Sequence, residues 1–386
     1  MPEADPVQER IRARLKELES QGLLRSLRSP AGIDLCSNDY LGLAQHTLLK
    51  ERMAEAVMRE GCGSTGSRLL RGERESFVEI EEAFASFKGT EKSLYFSTGY
   101  VANISVLTTF PEAGDVIYSD ERNHASLIDG IRLSRARCEI FPHNDVAALA
   151  RMMQADSSKG QKFVVIESLF SMDGDITPLA EYAALCRSQN AALIIDEAHA
   201  VGIYGERGTG LIEEYHIEDA VFLSINTAGK ALGVSGAFVN GSAMAIDYLV
   251  QRARPFIFST APPPSVATAL RASLQVIHSE PERRKQMRRR AAYLRRQLAE
   301  HSIAVPAGIS QIIPVMIGGN EETVAVAHDL QQAGFDVRAI RPPSVAIGTA
   351  RLRLSVNSNL SEPILDDFVA ALAFALRKLS ICAASS

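Results

Sequence analysis

The chain has 386 residues, of which 46% are hydrophobic and 23% are charged, and its formal net charge is −5. This length allows a large buried core and two domains. The mildly acidic charge gives no support for binding to nucleic acid, and no apolar stretch approaches the roughly 18 residues of a membrane-spanning helix.

Residues 1–45 are predicted to form an N-terminal helix and strand segment. Apolar residues recur on one face of residues 5–27, which favours a helix, and residues 35–43 indicate a short strand that breaks into a turn. The N-terminus lacks the apolar core of a secretory signal, and its acidic residues argue against a transit peptide. We therefore expect a cytoplasmic protein.

Residues 46–280 alternate short apolar runs with helical patterns and are predicted to form a large domain. Strands are predicted at residues 93–97, 116–119, 163–167, 193–196, 221–225 and 236–240. The helices predicted between them include residues 101–109, 125–133, 146–153 and 178–189. This alternation is typical of an α/β fold with a mostly parallel sheet and helices on both faces. Ligands of such sheets bind beyond the carboxyl ends of the strands.

Residues 281–386 are predicted to form a smaller C-terminal α+β domain. It begins with a basic amphipathic helix at residues 281–300. The basic face is either simply solvated or a site for an anionic carrier or for the phosphates of coenzyme A. The remaining elements are predicted strands at residues 312–317, 336–340 and 351–356, and predicted helices at residues 322–332 and 365–379.

One glycine-rich segment, residues 61–66, has the Gly-x-Gly-x-x-Gly pattern of dinucleotide-binding sites. That pattern is informative only between a strand and a helix. Here it follows a helical pattern at residues 48–59, so a nicotinamide or flavin site is not expected.

An acid and a lysine each follow a buried-looking strand. Asp196 ends the apolar run 192–195, and Lys230 lies beyond the run 221–225, in a turn of small residues between a strand and a predicted helix. Pyridoxal 5′-phosphate (PLP) needs both groups, because its aldehyde condenses with a lysine amine and a carboxylate keeps its ring nitrogen protonated. The alternatives are a surface lysine and an aspartate that caps a helix or forms a structural ion pair. The pair predicts a PLP enzyme.

The phosphate of this cofactor needs hydrogen-bond donors. Thr98, Gly99 and Tyr100 follow a predicted strand and open a helix, whose N-terminal amides and dipole attract an anion. Further hydroxyls are offered by three residues for which a turn cap is the alternative role, namely Thr227, Ser259 and Thr260.

Other polar side chains also follow predicted strands. His199 lies three residues after Asp196 and is a candidate to reach the phenolic oxygen of the cofactor ring. His124 is a candidate to stack flat on that ring and exclude water. Glu167 and Ser171, just past another strand end, are further candidates for cofactor contacts.

Two arginines near the C-terminus share one strand face. Arg351 and Arg353 alternate with leucines, so both point away from the leucine side. A guanidinium group binds a carboxylate bidentately, which makes Arg353 a candidate for holding an amino-acid substrate. The alternative is an exposed strand face without a ligand.

Five motifs together resemble those of the α-oxoamine synthases, which are PLP-dependent acyltransferases of fold type I. They are Ser37-Asn38-Asp39-Tyr40-Leu41-Gly42, Asn123-His124-Ala125-Ser126, Ser171-Met172-Asp173-Gly174-Asp175, Asp196-Glu197-Ala198-His199 and Gly229-Lys230-Ala231-Leu232-Gly233. The resemblance covers roughly residues 5–380. It implies a mostly parallel seven-stranded sheet, a homodimer with active sites at the subunit interface, and a reaction that joins an amino acid to an acyl thioester with loss of CO2.

The segment around residues 340–354 most resembles the branch of this family that condenses L-alanine with a pimeloyl thioester in biotin synthesis. The donor is either pimeloyl-CoA or pimeloyl-acyl carrier protein, and the sequence leaves this choice open. The alternative is another α-oxoamine synthase, such as the glycine C-acetyltransferase known as 2-amino-3-ketobutyrate CoA ligase. A rival of another class is a non-catalytic partner subunit, which the presence of Lys230, Asp196 and His199 disfavours.

The resemblance also implies a role for each matching residue. It assigns Lys230 the covalent link to the cofactor, Asp196 the ring nitrogen, His199 the ring oxygen and His124 the stacking face. The other cofactor contacts that it implies are Thr98, Gly99, Tyr100, Ser171 and Thr227. The substrate contacts that it implies are Arg25, Asn38, His124, Ser344 and Arg353.

The chain departs from the family pattern at several positions. Thr65 stands where glycine is usual, Phe77 where histidine is common, and Ala228 where a larger residue often lies. Ser344 replaces threonine but keeps the hydroxyl, and residues 345–348 lack the usual proline. Five scattered cysteines have no metal-ligand spacing and are expected to be reduced thiols, namely Cys36, Cys62, Cys138, Cys186 and Cys382.

Overall fold

The computed structural model describes residues 5–384, with side chains described up to residue 379. The strands are β1 (Ile33–Asp34), β2 (Lys92–Phe96), β3 (Val116–Asp120), β4 (Arg137–Phe141), β5 (Lys162–Glu167), β6 (Ala191–Asp196), β7 (Val221–Thr227), β8 (Ala237–Gly241), β9 (Ile312–Gly318), β10 (Phe335–Asp336), β11 (Ala339–Ile340) and β12 (Ala350–Ser355). The helices are α1 (Pro6–Ser20), α2 (Thr47–Glu60), α3 (Glu75–Lys88), α4 (Gly99–Thr109), α5 (Ala125–Leu133), α6 (Val146–Ala155), α7 (Leu179–Ser188), α8 (Leu211–Glu214), α9 (Ala243–Arg252), α10 (Arg254–Ile257), α11 (Pro264–Ser279), α12 (Glu282–Glu300), α13 (Asn320–Gln332) and α14 (Glu362–Ala384).

The chain contacts divide it into two compact units. One comprises the described residues up to Ser37, Met172–Gly174, and those from Met287 onward, while the other comprises Asn38–Ser171 and Asp175–Gln286. We call these the small unit and the large unit. The predicted domain boundaries, after residues 45 and 280, stay a prediction.

The large unit is built on a seven-stranded sheet with the strand order β2-β8-β7-β6-β5-β3-β4. Strand β8 runs antiparallel to both of its neighbours, and the pairs from β7 to β4 are parallel. This confirms the predicted mostly parallel sheet of seven strands. The carboxyl ends of β3, β5, β6 and β7 therefore meet at one edge.

Both faces of this sheet are buried, which explains why its strands are apolar almost throughout. Phe163 and Val165 of β5 pack into a core with residues of α4, α5 and α9. Val164 and Ile166 point to the opposite face and are also fully buried.

The small unit contains a three-stranded antiparallel sheet, β11-β12-β9, and the parallel pair of β1 and β10. Leu352 and Leu354 of β12 pack into a core with Leu294 of α12, Leu330 of α13 and Phe368 of α14. The predicted apolar stripe of α12 is confirmed, because its four members are all fully buried, namely Met287, Ala291, Leu294 and Leu298.

Several local predictions differ from the structure. Strand β4 was missed, because as an edge strand it exposes most of its polar residues and lacks an apolar run. The strand expected at residues 35–43 is wrong, since only Ile33–Asp34 pairs, and turns follow it. The strand expected at 336–340 is two short strands, β10 and β11, and the N-terminal helix ends at Ser20 instead of residue 27.

Three further expectations are tested by the fold. The glycine-rich segment at residues 61–66 follows α2 instead of a strand, as expected for a segment that is not a dinucleotide site. Among the described residues, no helix combines the length and apolar character that crossing a membrane requires. The cysteines with described side chains are free thiols, and the side chain of Cys382 lies outside the described residues.

Candidate active site

The polar side chains singled out in the sequence gather at the carboxyl edge of the large unit's sheet. β5 ends at Glu167, β6 at Asp196 and β7 at Thr227. Glu167 and Asp196 are register partners on neighbouring parallel strands, so their side chains leave the sheet on the same face. The sheet itself therefore brings these groups together.

Lys230 lies in the tight turn that joins β7 to β8. The amide of Ala228 donates to the carbonyl of Gly236 at 2.8 Å, and the amide of Gly233 donates to the carbonyl of Lys230 at 2.9 Å. Gly233 has a φ of +69°, and a Cβ there would lie 2.6 Å from the backbone of Ala44, so glycine is required. The helix expected after this turn is wrong, because the chain returns directly as an antiparallel strand.

The amine of Lys230 ends a chain of buried hydrogen bonds. Lys230 Nζ lies 2.8 Å from His199 Nε2, and His199 Nδ1 lies 2.7 Å from the hydroxyl of Tyr40. That hydroxyl donates to Oδ1 of Asn38 at 3.0 Å. A Tyr40 hydroxyl that donates to Asn38 can accept from Nδ1 of His199, which leaves the lone pair of Nε2 facing Lys230. His199 is thereby arranged to accept a proton from the lysine.

Asp196 is a buried carboxylate with 5% of its surface exposed. It accepts hydrogen bonds from Asn103 Nδ2 at 2.7 Å and from the amide of Ala198 at 2.8 Å. Within the described part of the chain, no arginine or lysine forms an ion pair with it. A buried carboxylate needs a strong partner, and the protonated nitrogen of a pyridine ring supplies one. The residues present therefore fit PLP at this edge.

His124 begins α5 and is fixed by its neighbours. Its Nδ1 lies 2.8 Å from Ser126 Oγ, and its backbone amide donates to Glu167 Oε1 at 2.6 Å. His124 is an exposed residue, yet partial desolvation lowers the pKa of its imidazole. The charge of Asp196 opposes this shift and that of Lys230 reinforces it. An exposed face of a neutral aromatic ring is suited to stacking on a cofactor.

Glu167 is the second buried acid of the site, with 3% of its surface exposed. Burial, together with the nearby negative charge of Asp196, raises the pKa of Glu167 well above its usual range. This shift favours the protonated form of Glu167, which lessens the negative charge next to Asp196.

The N-terminus of α4 is prepared for an anion. Thr98 caps this helix, since its side chain accepts from the amide of Val101 at 3.1 Å. A Cβ on Gly99 would lie 2.6 Å from Thr227 Oγ1, so only glycine lets the helix start this close to the end of β7. The first-turn amides and the Thr227 hydroxyl together form a suitable cradle for a phosphate.

The remaining candidates for cofactor contacts lie at various positions in the large unit. The hydroxyl of Tyr100 bonds to Asp129, and its ring is 42% exposed. Ser171 is half-buried. Ser259 and Thr260 lie in the exposed loop between α10 and α11. Their contacts with a cofactor stay predictions.

The other substrate candidates belong to the small unit. Arg25 donates to the carbonyl of Pro342 at 2.7 Å, and Ser344 lies in the exposed turn that follows. Arg353 is only 7% exposed and donates to Ser355 Oγ at 2.8 Å, while Arg351 is ion-paired with Asp173. The alternative of an exposed arginine face is therefore wrong, and the roles of Arg25, Ser344 and Arg353 in binding substrate stay predictions.

Three residues that form hydrogen bonds with the site residues His199, Asp196 and His124 were not identified from the sequence. They are Tyr40, Asn103 and Ser126. Tyr40 and Ser126 do lie in motifs that were noticed. Asn103 had a usable signal, because its amide lies between the apolar residues Ala102 and Ile104 in the middle of α4, and a polar side chain buried there needs partners.

The departures from the family pattern are accommodated locally. Thr65 adopts a φ of 58°, which is the left-handed region that glycine favours. Phe77 is fully buried and stacks on Tyr95, with ring centroids 6.0 Å apart and an interplanar angle of 20°. Ala228 is fully buried.

Comparisons with known proteins identify the family. Residues 30–372 match the model of the family described as aminotransferase class I and II. An 8-amino-7-oxononanoate synthase from Geobacter sulfurreducens is 42% identical over 386 residues, which covers 96% of this chain and 99% of the relative.

Solved structures agree. A serine palmitoyltransferase from S. paucimobilis with a bound PLP–myriocin aldimine has a TM-score of 0.91 at 27% identity, covering 98% of this chain and 100% of that one. The 8-amino-7-oxononanoate synthase of Francisella tularensis has a TM-score of 0.78 at 26% identity, covering 90% and 98%. Both confirm the predicted fold-type I architecture and PLP as the cofactor. The chain therefore belongs to the class I and II aminotransferases and, within them, to the 8-amino-7-oxononanoate synthase family of PLP-dependent acyltransferases.

Proposed function

We propose that the protein condenses L-alanine with a pimeloyl thioester to give 8-amino-7-oxononanoate, CO2 and the free carrier thiol, as a step of biotin synthesis. The observation that carries the proposal is 42% identity to a synthase of this name over nearly the whole of both chains. The arrangement of Lys230, His199 and Asp196 at one sheet edge supports it. The proposal includes a homodimer in the cytoplasm.

PLP, when bound, supplies an aldehyde that condenses with amines and a ring that withdraws electrons from the α-carbon of the substrate. Lys230 would hold the cofactor through its amine, which the amine of L-alanine would replace. Its free amine then removes the proton from the α-carbon, and His199, 2.8 Å away, accepts and returns protons at Nζ. Asp196 keeps the ring nitrogen protonated.

Substrate binding is assigned to individual charged and polar residues. Arg353 binds the carboxylate of alanine, which suits a guanidinium that is only 7% exposed and so favours an anionic partner. Asn38 and His124 are assigned to further contacts with the amino-acid substrate. Arg25 and Ser344 are assigned to the acyl donor.

Replacement of the lysine tests the proposal directly. Purified wild-type protein is expected to show the visible absorbance of a PLP imine, and to form 8-amino-7-oxononanoate from L-alanine and pimeloyl-CoA, as followed by mass spectrometry. Lys230→Ala is expected to lose both the band and turnover while its circular dichroism stays unchanged. Retained synthase activity in this variant contradicts the assignment of Lys230.

A sibling activity is the second candidate, because the structure with the TM-score of 0.91 is a serine palmitoyltransferase. The whole family shares this fold, so the sequence identity favours the alanine-using branch. Assays with alanine, glycine and serine, each paired with pimeloyl, acetyl and palmitoyl thioesters, decide. A preference for glycine with acetyl-CoA identifies a glycine C-acetyltransferase instead.

Two further assays complete the proposal. Competition between pimeloyl-CoA and pimeloyl-acyl carrier protein in one reaction identifies the preferred donor from the carrier released. Light scattering on the purified chain is expected to give twice the monomer mass, with full activity after addition of PLP alone. Activity that requires a second, different chain contradicts the homodimer.

A further inference from the structure

A continuous path of hydrogen bonds links the two residues assigned to different sides of the cofactor ring. Ser126 Oγ lies 2.8 Å from His124 Nδ1, and Asn103 Nδ2 donates to Ser126 Oγ at 2.9 Å. The same Nδ2 donates to Asp196 Oδ2 at 2.7 Å. All four residues belong to the large unit, and neither Ser126 nor Asn103 has an assigned role.

The direction of each hydrogen bond in this path follows from one fixed donor. The backbone amide of Ser126 can only donate, and it donates to His124 Nδ1 at 3.2 Å. Nδ1 therefore carries no proton, and the Ser126 hydroxyl must donate to it as well. Oγ is then left to accept from Asn103 Nδ2, whose second proton goes to Asp196.

The orientation of the Asn103 amide supports the same assignment. A flipped amide would place its oxygen against the carboxylate of Asp196, which is repulsive. In the observed orientation Oδ1 of Asn103 is buried without a hydrogen-bond partner among the described atoms. Leaving a buried acceptor unpaired is unfavourable. In this orientation, however, both protons of the Asn103 amide are donated, one to Ser126 and one to Asp196.

We propose that Ser126 and Asn103 are positioning residues that hold His124 neutral, with its proton on Nε2, and tie this state to the ionised Asp196. A neutral imidazole can stack on a cationic ring without like-charge repulsion, and its Nε2 proton remains available to a substrate oxygen. The titratable groups that face His124 are Asp196 at the end of β6, Glu167 at the end of β5 and Lys230 in the β7–β8 turn.

The proposal rests on the proposed function for its meaning, but its test does not need turnover. Diethyl pyrocarbonate modifies neutral imidazole, so its rate at His124 against pH, mapped by peptide mass spectrometry on the holoenzyme and the apoenzyme, gives the midpoint for protonation of that residue. Ser126→Ala removes one donor to Nδ1, and Asn103→Ala lets the hydroxyl turn and accept from a charged imidazole. Each is expected to raise the midpoint by about one pH unit, the size of one hydrogen bond.

Two comparisons separate positioning from general damage. The double variant is expected to shift the midpoint no more than the larger single variant, because both changes break the same path. Ser126→Thr keeps the hydroxyl and is expected to restore the wild-type midpoint. Ser105→Ala, which removes a buried hydroxyl of α4 outside the path, is expected to leave it unchanged.

The outcomes are distinct. An unchanged midpoint in Ser126→Ala shows that its hydroxyl does not donate to Nδ1 and overturns the proposal. Additive shifts in the double variant also overturn it, because the two residues then act independently. If Asn103→Ala does not fold, Asn103→Leu keeps most of the side-chain volume, removes the donor and adds no charge, and the same shift is expected. Absence of synthase activity in the wild-type protein, together with the expected midpoint shifts in the variants, would count against the proposed function and not against this proposal.

Discussion

Two lysines of the large unit, Lys88 and Lys230, show how a partner decides what an amine does. Lys88 is 4% exposed and donates to Glu197 Oε2 at 2.6 Å and to the carbonyl of Thr209 at 2.5 Å. Lys230 is half-buried, and its Nζ lies 2.8 Å from a ring nitrogen of His199. A carboxylate holds the Lys88 amine in an ion pair, whereas the imidazole nitrogen beside Lys230 can exchange a proton with its amine.

The same contrast runs through two consecutive acids. Asp196 and Glu197 follow one another at the end of β6, yet they serve different regions. Asp196 faces α4 and accepts from Asn103, whereas Glu197 pairs with Lys88 and accepts from the amide of Ile212 at 3.0 Å. Because successive side chains of a strand point to opposite faces, one strand end supplies both an active-site charge and a structural ion pair.

The strongest test of this contrast is removal of the structural amine. Lys88→Met leaves the buried Glu197 without its cation, and we expect a loss of about 3–5 kcal/mol in the free energy of unfolding. The folded fraction should keep its PLP band and its turnover per active site. Urea unfolding measures the stability, and an assay normalised to bound PLP measures the turnover. Lys230→Ala should instead keep the stability and lose the PLP band and the turnover.

A double variant controls for the size of the side chain. Lys88→Met with Glu197→Gln removes both charges, so most of the lost stability should return. If Lys88→Met instead abolishes the PLP band in protein that is fully folded, Lys88 belongs to the active site and the contrast fails.

The active-site residues themselves could be predicted from the sequence, because the patterns that indicate them are local. Asp196, His199 and Lys230 follow apolar runs within a few residues, and parallel strands bring their ends to one edge without further information. The seventh strand, β4, lacked such a run, because an edge strand has one side without a partner strand and need not be apolar.

The hydrogen-bond partners of these active-site residues could not be predicted from the sequence. The bond from Tyr40 to His199 joins residues 159 apart in the chain, and that from Asn103 to Asp196 joins residues 93 apart. No periodicity or spacing encodes such pairs, since only the packing of α4 and of the turns after β1 sets them. Burial of Arg353 was missed for the same reason, because alternation gives the face of a strand but not what covers it.

Two histidines, His143 and His199, extend the comparison between a held and an exchangeable proton, with smaller expected effects on stability. His143 lies between Asp120, 2.9 Å from Nδ1, and Asp175, 2.6 Å from Nε2. Burial disfavours its charge, but hydrogen bonds to these carboxylates outweigh that effect and raise the pKa of His143 to about 9. His143 therefore resembles Lys88 as a held charge, whereas Nδ1 of His199 lies beside the Tyr40 hydroxyl and its Nε2 beside the Lys230 amine.

This difference predicts a pH dependence of stability. The folded pKa of His143 is about 9 and the unfolded value is about 6.5, so its contribution is complete below pH 6.5 and disappears as the pH rises through 9. Relative to His143→Gln, the wild type should lose about 2 kcal/mol of unfolding free energy across that window. Denaturant titrations at several pH values measure this, with His301→Gln as the control for loss of an exposed histidine. If the unfolding free energies of wild type and His143→Gln change in parallel with pH, the charge of His143 does not stabilise the fold and the prediction is wrong.

The smallest expected effect comes from the far end of the lysine's hydrogen-bond chain. Tyr40→Phe removes the acceptor of His199 Nδ1, so the tautomer that turns a lone pair toward Lys230 is no longer favoured. We expect the visible band to form about tenfold more slowly when PLP is added to the apoenzyme, while its final height is unchanged. Tyr118→Phe is the matched control, because it also deletes the hydroxyl of a buried tyrosine of the large unit, one that donates to Asp156 Oδ2 at 2.8 Å and not to the β7–β8 turn. Equal slowing in both variants would mean that lost packing, not the state of His199, sets the rate, and the contrast between a held and an exchangeable amine would then rest on Lys88 and Lys230 alone.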